Sequence, residues 1–146
     1  MNSREPTFTA AVDGASRGNP GPAGFGVIVA VDGAGTVYQR AGFLGRLTNN
    51  QAEYRALLHC LGVLEELDLA RGGIQSDSEL LVKQLHGEYR VRDTELRSLH
   101  QEAKARLDRR PGVSVRHVRR EQNAAADRLA NSGIDWGLQV SGEKAG

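Results

Sequence analysis

Apolar and polar residues alternate along this chain in a way that separates strand-like from helix-like segments. Residues 8–12 are a short apolar run that stops at Asp13-Gly14. Residues 25–31 are rich in β-branched and aromatic side chains and follow the turn-forming string Gly18-Asn19-Pro20-Gly21-Pro22. Asp32-Gly33 then predicts a hairpin into residues 36–43, which makes three consecutive antiparallel strands. Thr48 followed by Gln51 has the spacing of a capping box and predicts a helix running to about Asp68. Gly72-Gly73 closes the connection, and residues 74–76 read as a short strand ending at Asp77. Helices are expected over residues 78–86 and 93–108. Pro111-Gly112 then breaks the chain, residues 113–118 alternate as a strand, and a last helix covers residues 122–132. The order βββαβααβα predicts an α/β domain with a five-stranded mixed sheet flanked by helices. Residues 1–6 and 136–146 lack a period and are expected to be loose ends, leaving 7–135 as the folded domain.

Composition narrows this picture only a little. A chain of 146 residues, 39% hydrophobic and 25% charged, suits one domain whose core needs neither disulfides nor a structural metal. The single cysteine, Cys60, cannot form an intramolecular disulfide and falls on the apolar helical pattern, which makes it a core residue. No apolar run approaches the roughly twenty residues that span a bilayer, and the N-terminus has no signal-peptide core, so a cytoplasmic protein is expected. Net charge is +1, but residues 104–120 hold seven Lys or Arg against the single acid Asp108. Such a run either meets a polyanion or is a solvated helix face and strand edge.

Four acids stand out against the pattern. On the helix from Thr48, the stripe at Glu53, Leu57, Cys60, Leu64 and Leu67 faces the core, so Glu53 brings a carboxylate to an otherwise apolar face. A charge there is costly unless paired, although a helix N-terminus also favours an acid through its dipole. Asp13 and Asp77 each end a predicted strand, where a plain turn aspartate is the ordinary alternative. Asp127 follows Ala124, Ala125 and Ala126 on the last helix, and aspartate is a mediocre helix former. Four acids from two strand ends and two helices could converge on one point. Convergent carboxylates repel, and an all-oxygen donor set suits Mg²⁺ or Mn²⁺. Two such ions about 3.5–4 Å apart can stabilise both oxygens of a phosphoryl displacement.

These residues also carry a resemblance. Asp13-Gly14-Ala15-Ser16-Arg17-Gly18-Asn19-Pro20-Gly21-Pro22-Ala23-Gly24 resembles the opening signature of type 1 ribonuclease H. Thr48-Asn49-Asn50-Gln51-Ala52-Glu53 resembles its second motif, Ser76-Asp77-Ser78 its third, and Asn123-Ala124-Ala125-Ala126-Asp127-Arg128-Leu129-Ala130 its fourth. The four occur in family order and cover residues 7–133. The resemblance implies the ribonuclease H-like fold and an endoribonuclease that cleaves the RNA strand of RNA–DNA hybrids. It implies that Asp13, Glu53, Asp77 and Asp127 hold two Mg²⁺ or Mn²⁺ ions. Residues near Gly14, Ser16, Asn19, Asn49 and Asn50 would test the minor groove for 2′-hydroxyls. Arg46 and Thr48 would grip the phosphate of the DNA strand, and Thr48 can cap its helix as well.

The chain departs from the family pattern in two places. Many bacterial relatives carry a basic, tryptophan-containing protrusion after the third motif, whereas the connection from His86 to Asp93 is short. Grip on the hybrid is then expected from Arg90, Arg92 and the basic run. The family's glycine-histidine loop before the last aspartate is shortened to Arg119-Arg120-Glu121-Gln122. Arg120 is expected to act in its place; His117 has the right distance by simple counting but falls inside a predicted strand. His59, His86 and His100 lack metal-ligand spacing and read as ordinary helix residues. A monomer without membrane attachment is expected. The rival readings are a nuclease that also acts on double-stranded RNA, and a nucleic-acid binding module without turnover.

Overall fold

A computed structural model describes residues 5–142. Strands β1 (Thr7–Ser16), β2 (Gly21–Val31) and β3 (Gly35–Leu47) form an antiparallel meander, and helix α1 (Asn49–Glu66) carries the chain over to β4 (Arg71–Ser76). Helices α2 (Glu79–Leu85) and α3 (Thr94–Asp108) lead to β5 (Val113–His117). A 3-10 turn (Arg120–Asn123) then opens helix α4 (Ala124–Ser141). The sheet order is β3-β2-β1-β4-β5, with β1, β4 and β5 mutually parallel. This is the mixed five-stranded sheet and the element order that the hydrophobic pattern predicts.

Helix starts follow the local chemistry. Thr48 accepts from the Gln51 N–H at 3.2 Å while Gln51 Oε1 accepts from the Thr48 N–H at 2.8 Å, a complete capping box. Ser78 caps α2 by accepting from the Leu81 N–H, and Asp93 caps α3 by accepting from the Glu95 and Leu96 N–H groups. The main core lies on the α1 side of the sheet, where Ala10, Val12, Val27 and Val29 meet Leu57, Cys60, Leu61 and Leu64. Burial pushes the Cys60 thiol up to about 12, which fits a core residue. Leu67 departs from the predicted stripe: it is the residue after α1 and is 42% exposed, so the buried face ends at Leu64.

Several elements outrun their expected bounds: β2 begins at Gly21 rather than residue 25 and β3 continues to Leu47 rather than residue 43, because Gly21 pairs with Leu47 and Pro22 with Arg46. Strand β1 continues through Asp13-Gly14 to Ser16 because Gly14 and Ser16 pair with Phe25 and Ala23. Asp13 therefore lies within a strand rather than at its end. Strand β4 includes Gly72 and Gly73, which pair with Phe8 and Thr9 of β1. Helix α4 runs to Ser141, past the expected end near Ser132 and into the expected tail from residue 136. Its buried positions Ala126, Ala130, Ile134 and Leu138 keep a four-residue period, which the exposed Asp135 and Trp136 hide. Gly133 reads as a breaker in the sequence. In the fold it lets α4 lie against β3, since a Cβ there would sit 2.2 Å from the Gly42 carbonyl oxygen. The loose ends expected at 1–4 and 143–146 lie outside the described residues. Among the described residues, no helix is long and apolar enough to cross a membrane.

Candidate active site

The site forms where β1 outruns β4. The β1–β4 ladder ends at the Ala11–Gln75 pair, and past it β1 keeps only β2 as a partner. Asp13, two residues beyond, and Asp77, just after β4, are thereby brought to the same end of two parallel strands. Helix α1 supplies Glu53 from its second turn. It can come that close because Gly14 has no side chain: a Cβ there would lie 2.2 Å from the Ala52 carbonyl carbon. The Gly14 N–H donates to Glu53 Oε1 at 2.8 Å and fixes the carboxylate in place. Carboxylate oxygens of Asp13, Glu53 and Asp77 all lie within 4.8 Å of one another. Asp127 is not in this trio. It sits half-buried in the first turn of α4, near enough to Asp13 to raise its pKa.

Electrostatics at this point are unfavourable for the bare protein. Asp13 and Glu53 are 4% and 6% exposed. Burial first, and then the charges of Glu53, Asp77 and Asp127, push the Asp13 carboxyl far above the usual carboxylate range. Burial likewise raises Glu53, with the Gly14 N–H pulling the other way, and burial raises Asp77. Three desolvated carboxylates with no lysine among them are a poor structural cluster. Their oxygen-only donor set fits hard divalent cations, Mg²⁺ or Mn²⁺, rather than zinc.

Residues around the acids hold them in register. Asn123, 1% exposed, donates from Nδ2 to the Val12 carbonyl at 2.9 Å, next to Asp13. Gln75 Nε2 donates to the Gln122 carbonyl at 3.0 Å, which ties the 3-10 turn to β4. Gln75 has no role in the sequence reading, and no spacing or period marks it. Arg120, at the start of the 3-10 turn, is exposed, and its charge lowers the pKa of both Glu53 and Asp77. His117 is exposed at the end of β5, opposite Ser76 in the β4–β5 ladder.

The residues expected to touch substrate gather on one neighbouring edge. Arg46 pairs with Pro22 and Leu47 with Gly21, so the end of β3 lies beside the β1–β2 loop. Asn19 Oδ1 accepts from the Asn49 N–H at 3.2 Å and joins that loop to the start of α1. The Ser16 hydroxyl lies 2.7 Å from the Leu47 carbonyl and 2.5 Å from the Gly18 carbonyl. Arg46 and Asn49 are exposed, Thr48 and Asn50 half-buried.

The basic run divides. Arg106 pairs with Glu65 at 2.5 Å and Glu102 at 3.4 Å, and Arg110 donates to the Leu69 carbonyl at 2.5 Å. Lys104 pairs with Asp108 at 3.6 Å. Arg106 and Arg110 thus fasten α3 and its end to α1 and the loop before β4, while Lys104 pairs within α3. Arg109, Arg116, Arg119 and Arg120 remain exposed. The histidines have local roles. His59 bonds the Tyr38 hydroxyl at 2.7 Å, His86 the Val115 carbonyl at 3.0 Å, and His100 the Gln84 carbonyl at 3.0 Å.

Residues 11–133 match the protein family described as reverse transcriptase-like. Over 123 residues, 84% of this chain and 62% of the other, the sequence is 40% identical to ribonuclease HI of Halobacterium salinarum. The chain belongs to the type 1 ribonuclease H family. The crystal structure of the Halobacterium ribonuclease H1 superposes with a TM-score of 0.84 at 39% identity, covering 88% of this chain and 98% of that one. A ribonuclease H1 isolated from compost, solved in complex with an RNA/DNA hybrid, gives a TM-score of 0.84 at 35% identity, covering 90% and 99%. A bifunctional protein of Mycobacterium tuberculosis is 37% identical over 134 residues, 91% of this chain. The ribonuclease H fold described here spans 37% of the length of that protein and 62% of the Halobacterium sequence.

Proposed function

We propose that this chain is an endonuclease that hydrolyses the RNA strand of RNA–DNA hybrids, with Asp13, Glu53, Asp77 and Asp127 holding two Mg²⁺ or Mn²⁺ ions. The observation that carries the reading is the convergence of the Asp13, Glu53 and Asp77 carboxylates within 4.8 Å, with Asp13 and Glu53 buried and Asp77 half-buried. Ions held there would supply a water nucleophile and charge stabilisation for the departing oxygen. The protein's own part is to fix the donors. Gly14 N–H orients Glu53, Asn123 pins β1 beside Asp13, and the burial of both acids keeps the pair dry. Asn19, Asn49 and Asn50, with Gly14 and Ser16, are placed in this reading along the minor groove, where 2′-hydroxyls distinguish RNA from DNA. Arg46 and Thr48 take a DNA-strand phosphate. Arg120 serves the departing product in place of a loop histidine. The catalytic domain is assigned from residue 7 to the end of α4.

The test is incubation with labelled RNA–DNA hybrid, double-stranded RNA and double-stranded DNA, with and without EDTA. Metal-dependent cutting of the RNA strand of the hybrid is expected. Comparable cutting of double-stranded RNA would broaden the substrate, and tight binding without cutting would replace the nuclease by a binding module.

A further inference from the structure

Arg17 lies in the β1–β2 loop, and its half-buried side chain reaches α4. Its Nη1 is 2.7 Å from Asp135 Oδ1 on α4. Its Nη2 is 3.4 Å from both the backbone and side-chain oxygens of Asn131, one turn earlier on the same helix. Asn131 in turn donates from Nδ2 to the Asp127 carbonyl at 3.1 Å. On the loop side, the Arg17 N–H donates to the Pro22 carbonyl at 2.9 Å. Two residues later Asn19 accepts from the Asn49 N–H at 3.2 Å. One cation therefore links the loop that carries Asn19 to the helix that carries Asp127.

We infer that Arg17 is a positioning residue that clamps loop 17–20 to α4 and so fixes Asn19 relative to Asp127 when a hybrid is bound. This rests on the hybrid-cleaving function proposed above. The two bodies it joins are held elsewhere, β1 and β2 by their ladder and α4 by Ala126, Ala130 and Ile134 in the core. Loop 17–20 lies beyond the β1–β2 ladder, which ends at the Ser16–Ala23 pair; Ser16 and Asn49 hold it on its own side, and the Arg17 side chain ties it to α4. Asp135 is 68% exposed, which makes the pair a weak contributor to global stability. Its effect is local. Arg17 already serves three acceptors on α4, so phosphate contact is left to exposed arginines such as Arg46 and Arg120.

Two measurements on Arg17→Met and Asp135→Asn test the clamp. In the free protein, amide exchange at Asn49 should quicken by roughly three- to tenfold in either variant, because its acceptor on Asn19 is no longer held. The double variant should match Arg17→Met, since Asp135 acts only through Arg17. Arg17→Lys, which still reaches for Asp135, should recover part of the protection. With hybrid substrate, KM should rise by about the same factor in both variants, with kcat within about twofold and an unchanged slope of log affinity against log salt. Unaltered exchange at Asn49 overturns the inference. So does a slope shallower by about one unit in Arg17→Met with Asp135→Asn like wild type, because that marks a direct phosphate contact. Should the wild type neither bind nor cut hybrid, the proposed function fails, and the exchange result decides the clamp on its own.

Discussion

Asp13 concentrates the physical tension of this molecule: a nearly buried carboxylate with two further carboxylates within 4.8 Å. A carboxyl whose folded pKa is raised binds its proton more tightly when folded. Its contribution to stability is therefore intact below the ordinary carboxylate range and is lost as pH rises toward the folded value. Asp13, Glu53 and Asp77 are all shifted in that direction. Without divalent ions, Asp13→Asn should be at least as stable as wild type, and its advantage should widen between about pH 5 and 8. Adding Mg²⁺ should narrow the advantage, while cleavage by the variant stays abolished. Melting curves across that range with and without Mg²⁺ check this; a pH-independent difference would show that burial and its acidic neighbours do not raise the Asp13 carboxyl. Asn49 and Asn50 give a second residue-scale expectation. Alanine at either should weaken hybrid cleavage by an amount near 1 kcal/mol per lost hydrogen bond while moving the melting temperature little. A thermal shift as large as the activity loss would make them helix-start residues only.

Among the elements, α4 shows where a local preference and a tertiary contact disagree. Alanine is better than glycine inside a helix by about 1 kcal/mol, so Gly133→Ala would stabilise an isolated helix. In this fold the new Cβ would meet the Gly42 carbonyl oxygen at 2.2 Å, backbone against backbone, and overpacking of that kind costs about 1–3 kcal/mol. The contact should win. Gly133→Ala is expected to melt lower and to cut more slowly, because displacing α4 carries Asp127 with it; an unchanged melting temperature and rate would show that α4 can slide freely on β3. The same helix marks the limit of sequence reading. The meander, the capping box at Thr48 and the aspartate at the end of β4 follow from local rules and were legible. The C-terminal turns of α4 were not, because Gly133 and Gly137 suit the helix only where the Gly42 backbone and the Phe43 ring lie against them. Asp13 reads as a turn residue until β2 is seen pairing with Gly14 and Ser16. Glu53 was legible as a misfit on an apolar face, whereas Gln75 depends on a partner that only the fold supplies.

At the scale of the whole molecule, net charge is a poor guide and the partition of cations a better one. Arg106 and Arg110 fasten α3 and its end to the α1 layer, while Arg116 and Arg119 are exposed. Arg106→Ala should lower the melting temperature and leave the salt dependence of hybrid binding alone. Arg116→Ala or Arg119→Ala should do the reverse, each making the log–log salt slope shallower by about one unit if it meets a phosphate. Binding titrations at several salt concentrations separate the two groups; a shallower slope in Arg106→Ala would undo the division. If Asp127 is the fourth metal ligand proposed above, the docking of α4 also sets when the protein can act. Asn123 reaches the Val12 carbonyl across 111 residues of chain, and Asp127 follows on the helix that this bond anchors. Synthesis runs from the N-terminus, so β1 to β3, α1 and β4 exist before α4 does. A nascent chain can gather Asp13, Glu53 and Asp77, yet it lacks both the fourth acid and the anchor that seats it. On the function proposed above, the growing polypeptide would not yet cut a hybrid, and that capacity would arrive as the last helix closes the fold.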